Sequence, residues 1–486
     1  MACALLLALV PLAVHAHKYP DFSGFWAGSD QHRYLEAARA WAEGDLSPAR
    51  HHYLPLYPLM GAAFVWLTPW QPFLVPDLAC LLASFFLFIA IGRRLAPGWP
   101  PAALAASFVV GVFSGRTDAA IWVVPWSTTG AAPFQFLALL LSLRFLEQPS
   151  PGRAAALGAA LGVIAGFRPS DAAVLLVTCG AMAGGALLVR RTQARQCVRL
   201  AAAGALGLAA GLAPTLVAHS VIFGLSAGPY VRESAGIGFE PRLLAMRWVM
   251  IVLGSRPLLP EGAGLAWSLP WFVPGVFGLL AGALLPKRRA AFWLVASTVC
   301  LHWALYLSYR DLQPYGLWRF YNIHYFKWTF PFLTLWAAQL VAALAGRATR
   351  PRALAACGAA CLLFVWRPIL RAPVQIPAAS PGLRTVIPTG ALQLDRAVQV
   401  PVEAAWGDIY FAPARLTISG ATFYNTRDFK LFPIPSAALL IPLRRLPDGP
   451  ASLELPGLSV TGALTVWRQA IVLALPCITR RLPGCA

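Results

Sequence analysis

Apolar residues run through this chain in blocks near the length that crosses a bilayer, about 17–25 residues of helix. Short polar connections separate them. Eleven such blocks can be drawn, near 1–17, 74–92, 101–115, 119–143, 154–167, 172–189, 200–223, 265–285, 291–309, 325–345 and 353–370. The first, Met1 to Ala16, is similar to a signal peptide, but it lacks a basic start and carries His15 at the cleavage position. It reads better as an uncleaved first span. After about residue 371 the pattern changes. Prolines become frequent, and runs such as Ala414–Ser419 and Ser452–Val460 alternate or carry β-branched residues, which predicts strands. The expected architecture is therefore an all-α polytopic membrane domain over 1–371 and a small strand-rich domain over 372–486. Val466–Leu475 is too short to span and is expected to pack within that domain.

Between the first two blocks, over 18–73, lies a long polar-apolar segment with its own periodicity. Ser29 and Asp30 are helix-start residues and Gly44 is a natural stop. Between them Tyr34, Ala37, Ala38 and Trp41 recur at i, i+3, i+4 and i+7, one apolar stripe. This predicts a short helix lying on the membrane surface with an acid at its start. A second interfacial helix is expected over Tyr53 to Leu67, whose prolines fall at 55 and 58.

Charge then orients the chain. Only 12% of residues are charged while 58% are hydrophobic, against about 25% charged in a soluble domain. Five connections, at Arg93–Arg94, Arg144 with Arg153, Arg190 to Arg199, Lys287–Arg289 and Arg347 to Arg352, hold fourteen basic residues and one acid, Glu147. The positive-inside rule places all five in the cytoplasm. The complementary segments carry almost all the acids, so acid–base chemistry is expected on the outer face. The net charge of +20 is that of basic span ends; no basic run with interleaved aromatics points to nucleic acid. Thirty-five Arg against four Lys suggest a GC-rich bacterium, hence an inner membrane with the working face and tail in the periplasm. The nine cysteines show no metal-ligand spacing. Most act as small apolar residues, while Cys477 and Cys485 could pair if the tail faces an oxidising compartment.

The first outer segment, the Tyr53-Leu54-Pro55-Leu56-Tyr57-Pro58 stretch, the span ending Arg93-Arg94-Leu95, and Gly162-Val163-Ile164-Ala165-Gly166-Phe167-Arg168-Pro169 together resemble the GT-C superfamily of membrane glycosyltransferases. The resemblance is to the branch holding protein O-mannosyltransferases and the lipid A aminoarabinose transferase. It covers roughly residues 1–190. It implies a sugar donor linked to a polyprenyl phosphate, an acceptor that is a lipid, a glycan or a protein, and an acid in the first outer loop that activates the acceptor. By that resemblance Asp30 is the general base. Where many members have two adjacent acids, Asp30 is flanked by Ser29 and Gln31, and Asp118 in the next outer loop is the candidate second acid.

The chemistry is sound on its own terms. An attacking hydroxyl or amine must lose a proton, which a positioned carboxylate can take. A departing lipid phosphate needs cations; the outward candidates are Arg33, Arg116, Arg168, Arg310, Arg319, His324 and Lys327, with Tyr57 beside them. No cofactor is expected besides the donor substrate, and a divalent metal stays open.

Plainer roles compete at each position. Asp30 could only cap its helix. Arg116 and Asp118 could close a turn, and Arg168 with Asp171 could be a snorkelling anchor and a cap. His51-His52 is too sparse for a metal site. A transporter or lipid flippase would place ionisable residues within spans; a noncatalytic assembly subunit would work through the tail.

Overall fold

The computed structural model describes residues 30–69, 71–113, 118–241, 244–253, 264–284, 290–309 and 322–346, the single positions 9 and 312, and seven strands with one turn residue between 395 and 464. The expected spans at 1–17 and 353–370, the candidates Arg116, Arg310 and Arg319, and Cys477 and Cys485 lie outside the described residues.

The chain divides into two units, Met1–Ala235 with Leu269–Trp303 and Ile323–Arg350, and Gly236–Ser268 with Ala304–Asn322 and Pro351–Ala486. The first opens with α1 (Asp30–Glu43) and α2 (Leu56–Ala62), the two short helices expected in the outer segment. Gly44 ends α1 with φ +72°, a left-handed turn that only glycine adopts freely. Of the stripe the periodicity marks, Tyr34, Ala37 and Ala38 are buried and Trp41 is half-buried, while Gln31, Leu35 and Ala40 are buried beside it.

Six longer helices and one short one, α5, follow: α3 (Leu74–Leu95), α4 (Pro101–Phe113), α5 (Asp118–Val123), α6 (Ser127–Glu147), α7 (Pro151–Phe167), α8 (Pro169–Val189) and α9 (Ala194–Phe223). Then come α10 (Pro229–Ile237), α11 (Leu244–Val252), α12 (Leu265–Ser268), α13 (Phe272–Leu284), α14 (Ala290–Ser308) and α15 (Phe330–Gly346). Among the described residues α3, α6, α8, α9 and α14 are long and apolar enough to cross a membrane. Two expected spans prove to be interrupted. The block at 119–143 breaks into α5 and α6, because Pro125 disfavours helix for the residue before it and Trp126 is extended (φ −141°, ψ 131°). The block at 325–345 starts as 3₁₀ turns at Asn322–Tyr325 and Lys327–Thr329 before α15.

Glycine sets the closest approaches within the first unit. A Cβ on Gly158, Gly162, Gly207 or Gly211 would overlap the backbone of the facing helix in the α7–α9 pair, and Gly275 and Gly278 do the same for α13 against α15. Bare backbones in contact are how helices associate where lipid removes the hydrophobic drive. Phe88, Phe108, Phe136 and Phe332 fill the centre of α3, α4, α6 and α15, ring on ring.

In the second unit Arg247 of α11 donates through Nη1 to the carbonyls of Leu307 (3.3 Å) and Tyr309. Its strands are antiparallel: β1 (Asp395–Val400) pairs with β5 (Ala437–Pro442), which pairs with β4 (Lys430–Phe432). In the other sheet β2 (Arg415–Ile418) lies between β3 (Ala421–Tyr424) and β6 (Gly449–Leu455), and β6 pairs with β7 (Leu458–Leu464).

Candidate active site

The break before α6 leaves three successive hydroxyls, Ser127, Thr128 and Thr129, at the helix start, all buried. Each meets a functional side chain from a distant part of the chain. Tyr34 of α1 donates to Ser127 Oγ at 3.2 Å, and Arg168 Nη1 donates to the same oxygen at 3.4 Å. Thr128 Oγ1 shares a hydrogen bond with His324 Nδ1 at 3.2 Å. Lys327 donates to Thr129 Oγ1 and, at 2.7 Å, to the carbonyl of Ile121. These hydroxyls, with a helix N-terminus beneath them, collect four titratable side chains, Tyr34, Arg168, His324 and Lys327.

Arg168 has a carboxylate in reach, as burial of charge demands, while Lys327 is held by a carbonyl and a hydroxyl. Arg168, 6% exposed, pairs through Nε with Asp171 Oδ2 at 3.2 Å, and its guanidinium lies 4.9 Å from the Tyr325 ring centre. Gln135 donates to Asp171 Oδ2 at 2.7 Å, and His302 Nδ1 lies 3.9 Å from the other oxygen. Arg168 is thus the centre of a buried network, not the snorkelling anchor that its place before a span suggested. Lys327, fully buried, lies over the Trp122 ring and feels the charge of Asp77. Asp77 accepts from the Tyr57 hydroxyl at 3.0 Å on both oxygens. Tyr57 is itself fully buried, serving Asp77 from below the site.

Asp30, exposed in the first turn of α1, lies near enough to the Tyr53 hydroxyl for its charge to act on it. Burial holds that hydroxyl well above its ordinary value, and the Asp30 charge adds to the effect, so Tyr53 stays a donor. Tyr53 stacks on Tyr34 with ring centres 4.2 Å apart. Tyr34 is pushed up likewise by burial, and it feels both the Asp30 and the Arg168 charge. Acid and buried cation therefore flank one tyrosine. Arg33 lies further out, with Nη1 2.8 Å from His52 Nε2, and the same His52 nitrogen is 3.2 Å from Glu233. His51 is bonded instead to the Asp45 carbonyl at 2.9 Å. No group of three His, Cys, Asp or Glu among the described residues could hold a metal. Asp118 opens α5, and only its backbone is described.

The structure thus brings together Asp30, Arg168, His324 and Lys327 from the sequence candidates, with Tyr57 behind them and Arg33 to one side. Sequence reasoning passed over Ser127 to Thr129, Asp77, Gln135 and His302. The one local signal was a Pro-Trp-Ser-Thr-Thr-Gly run inside an apolar block.

Helices and site define a multi-pass membrane protein with a buried ionic cluster beneath a surface acid. No family model and no curated protein matches the sequence. Among solved structures the chain is similar to ArnT from Cupriavidus metallidurans, a lipid A aminoarabinose transferase of GT-C fold. Against that protein bound to undecaprenyl phosphate the identity is 17% and the TM-score 0.49, covering 74% of this chain and 63% of that one. Against its apo state the values are 16% and 0.42, over 70% and 58%. The chain spans less than two thirds of the length of either.

Proposed function

We propose that this chain is an integral membrane glycosyltransferase that moves a sugar from a polyprenyl-phosphate donor to an acceptor on the outer face of a bacterial inner membrane. The observation that carries the reading is the line from Asp30 through Tyr53 and Tyr34 to Ser127 and Arg168, which sets a surface carboxylate beside a buried cationic cluster. In the reaction the acceptor's hydroxyl or amine attacks the anomeric carbon and loses its proton to Asp30. The bond from that carbon to the phosphate oxygen breaks, and the lipid phosphate leaves with the electron pair. Arg168, with the α6 N-terminus, supplies positive potential for that anion, and His324, kept neutral by burial and by the charges of Arg168 and Lys327, can offer it a hydrogen bond. Arg116, Arg310 and Arg319 remain candidates for the same task, and Asp118 for the second acid.

The test is Asp30→Asn in proteoliposomes with a labelled polyprenyl-phosphate sugar. Transfer should fall at least ~100-fold, the typical worth of a positioned base, while the unfolding midpoint stays in place. An Asp30→Asn variant that still transfers sugar overturns the assignment.

A second reading has one observation in its favour: Asp77, Asp171 and His302 are buried within helices long and apolar enough to span, where ionisable groups often mark transport pathways. Proton-coupled uptake of a solute into proteoliposomes, with no sugar transfer, would establish it.

A further inference from the structure

From Leu176 to Arg191, which lies about 30 Å along α8 from Arg168 at 1.5 Å per residue, α7, α8 and α9 part around a cavity of about 690 Å³. That volume lies within the roughly 300–1,000 Å³ of sites that enclose small ligands. Its wall is apolar, with Phe145, Leu187 and Leu200 at the base and glycines along α8. The polar groups in the lining are Arg191 and Thr192, with the thiols of Cys179 and Cys197.

Two features separate this space from ordinary helix packing. Four glycines of α7 and α9 are used up by contact, since a Cβ on any of Gly158, Gly162, Gly207 and Gly211 would strike the opposite backbone. Gly180 and Gly184 of α8 line the cavity, and a Cβ on either meets nothing within 4 Å. Their smallness leaves room and serves no neighbour. The second feature is charge. Arg190 is committed, donating to the Leu146 carbonyl at 2.6 Å. The guanidinium groups of Arg191, Arg195 and Arg199 are exposed and make no hydrogen bond or ion pair with any described residue. Arg191 follows the last turn of α8 with φ +50°, an uncommon backbone for a bulky residue.

We infer that this cavity holds one anionic diacyl phospholipid, an acyl chain between α7, α8 and α9 and its phosphate at Arg191. The wall matches a hydrocarbon chain. The uncommitted arginines lie where a spanning helix ends, at headgroup level, and basic pockets between spanning helices bind anionic headgroups. The site is distinct from the Arg168 cluster and does not depend on the transferase reading.

Native mass spectrometry of the full chain tests it. The protein is released from detergent with equal phosphatidylglycerol and phosphatidylcholine of the same acyl chains. One phosphatidylglycerol per chain should persist, preferred by about tenfold or more. Arg191→Gln with Arg195→Gln changes only exposed side chains; it should abolish the preference and leave the unfolding temperature unaltered. Gly184→Leu should fill the space and expel both lipids. Equal retention of the two lipids by the unaltered protein, or an unchanged preference in the double Gln variant, would overturn the proposal. So would displacement of the lipid by inorganic phosphate or by a polyprenyl phosphate at equal concentration.

Discussion

The contact between Tyr34 and Ser127 holds the acid-bearing helix to the buried cluster, and its removal from either side should not cost the same. The Tyr34 hydroxyl is buried and donates to Ser127. Ser127→Ala therefore strands it, at about 1–3 kcal/mol for an unsatisfied buried group, and also takes one contact from Arg168. Tyr34→Phe leaves Ser127 still bonded by Arg168 at 3.4 Å and should cost about 0.5–1.5 kcal/mol. The 3.2 Å separation is longer than the usual ~2.8 Å between hydroxyls, so values near the middle of each range are expected: about 2 for Ser127→Ala and about 1 for Tyr34→Phe. The double variant removes donor and acceptor together and should cost about 2, a coupling of roughly 1 kcal/mol. Reversible unfolding in mixed micelles, followed by helical circular dichroism, measures all three. Additive costs, or a Tyr34→Phe cost equal to that of Ser127→Ala, would refute the arrangement.

Other outcomes follow from the same contacts. Lys327→Met takes the donor from Thr129 Oγ1 and the Ile121 carbonyl, leaves that carbonyl buried without it, and should cost about 1–3 kcal/mol in the same unfolding assay. Gly130→Ala would place a Cβ 2.7 Å from the Phe167 ring and should lower stability by about 1–3 kcal/mol, unless that ring swings aside, which an unchanged midpoint would reveal. The Asp45 carboxylate accepts from the Ser47 backbone N–H at 2.9 Å and from Arg50, which hold it down to about 2 from the ordinary 3.8. A depressed carboxylate lends stability that is complete above pH ~4 and lost as pH falls through about 2; Asp45→Asn should flatten that dependence over the same window.

The surface helices were legible because their signals are local. Asp30 and Gly44 bracket α1 within fifteen residues, and the apolar stripe between them needs no distant partner. The ionic cluster was half legible: Arg168 and Asp171 could be seen, but not their burial, because a basic residue before a span looks the same whether it reaches for headgroups or turns inward. Ser127, Thr128 and Thr129 were hidden for a different reason. Hydroxyls fit an apolar block without breaking its pattern, and the partners that give them meaning, His324 and Lys327, stand almost two hundred residues away. Asp77 was lost the same way, inside a span whose hydropathy one acid barely lowers. The broken span at 119–143 had its cause in plain view at Pro125, but window averages smooth such a break away.

The glycine contacts between α7 and α9 bear on how the chain is made. The two helices are not neighbours in sequence; α8 lies between them. When ribosomal synthesis delivers α7 to the bilayer, its bare ridge at Gly158 and Gly162 has nothing to dock on until α8 has passed and α9 arrives. For that interval the ridge is open to other spans, and a substitution such as Gly207→Leu, harmless to insertion, would prolong it indefinitely. Quality control during biogenesis, more than the stability of the finished protein, is where such a change would first be felt.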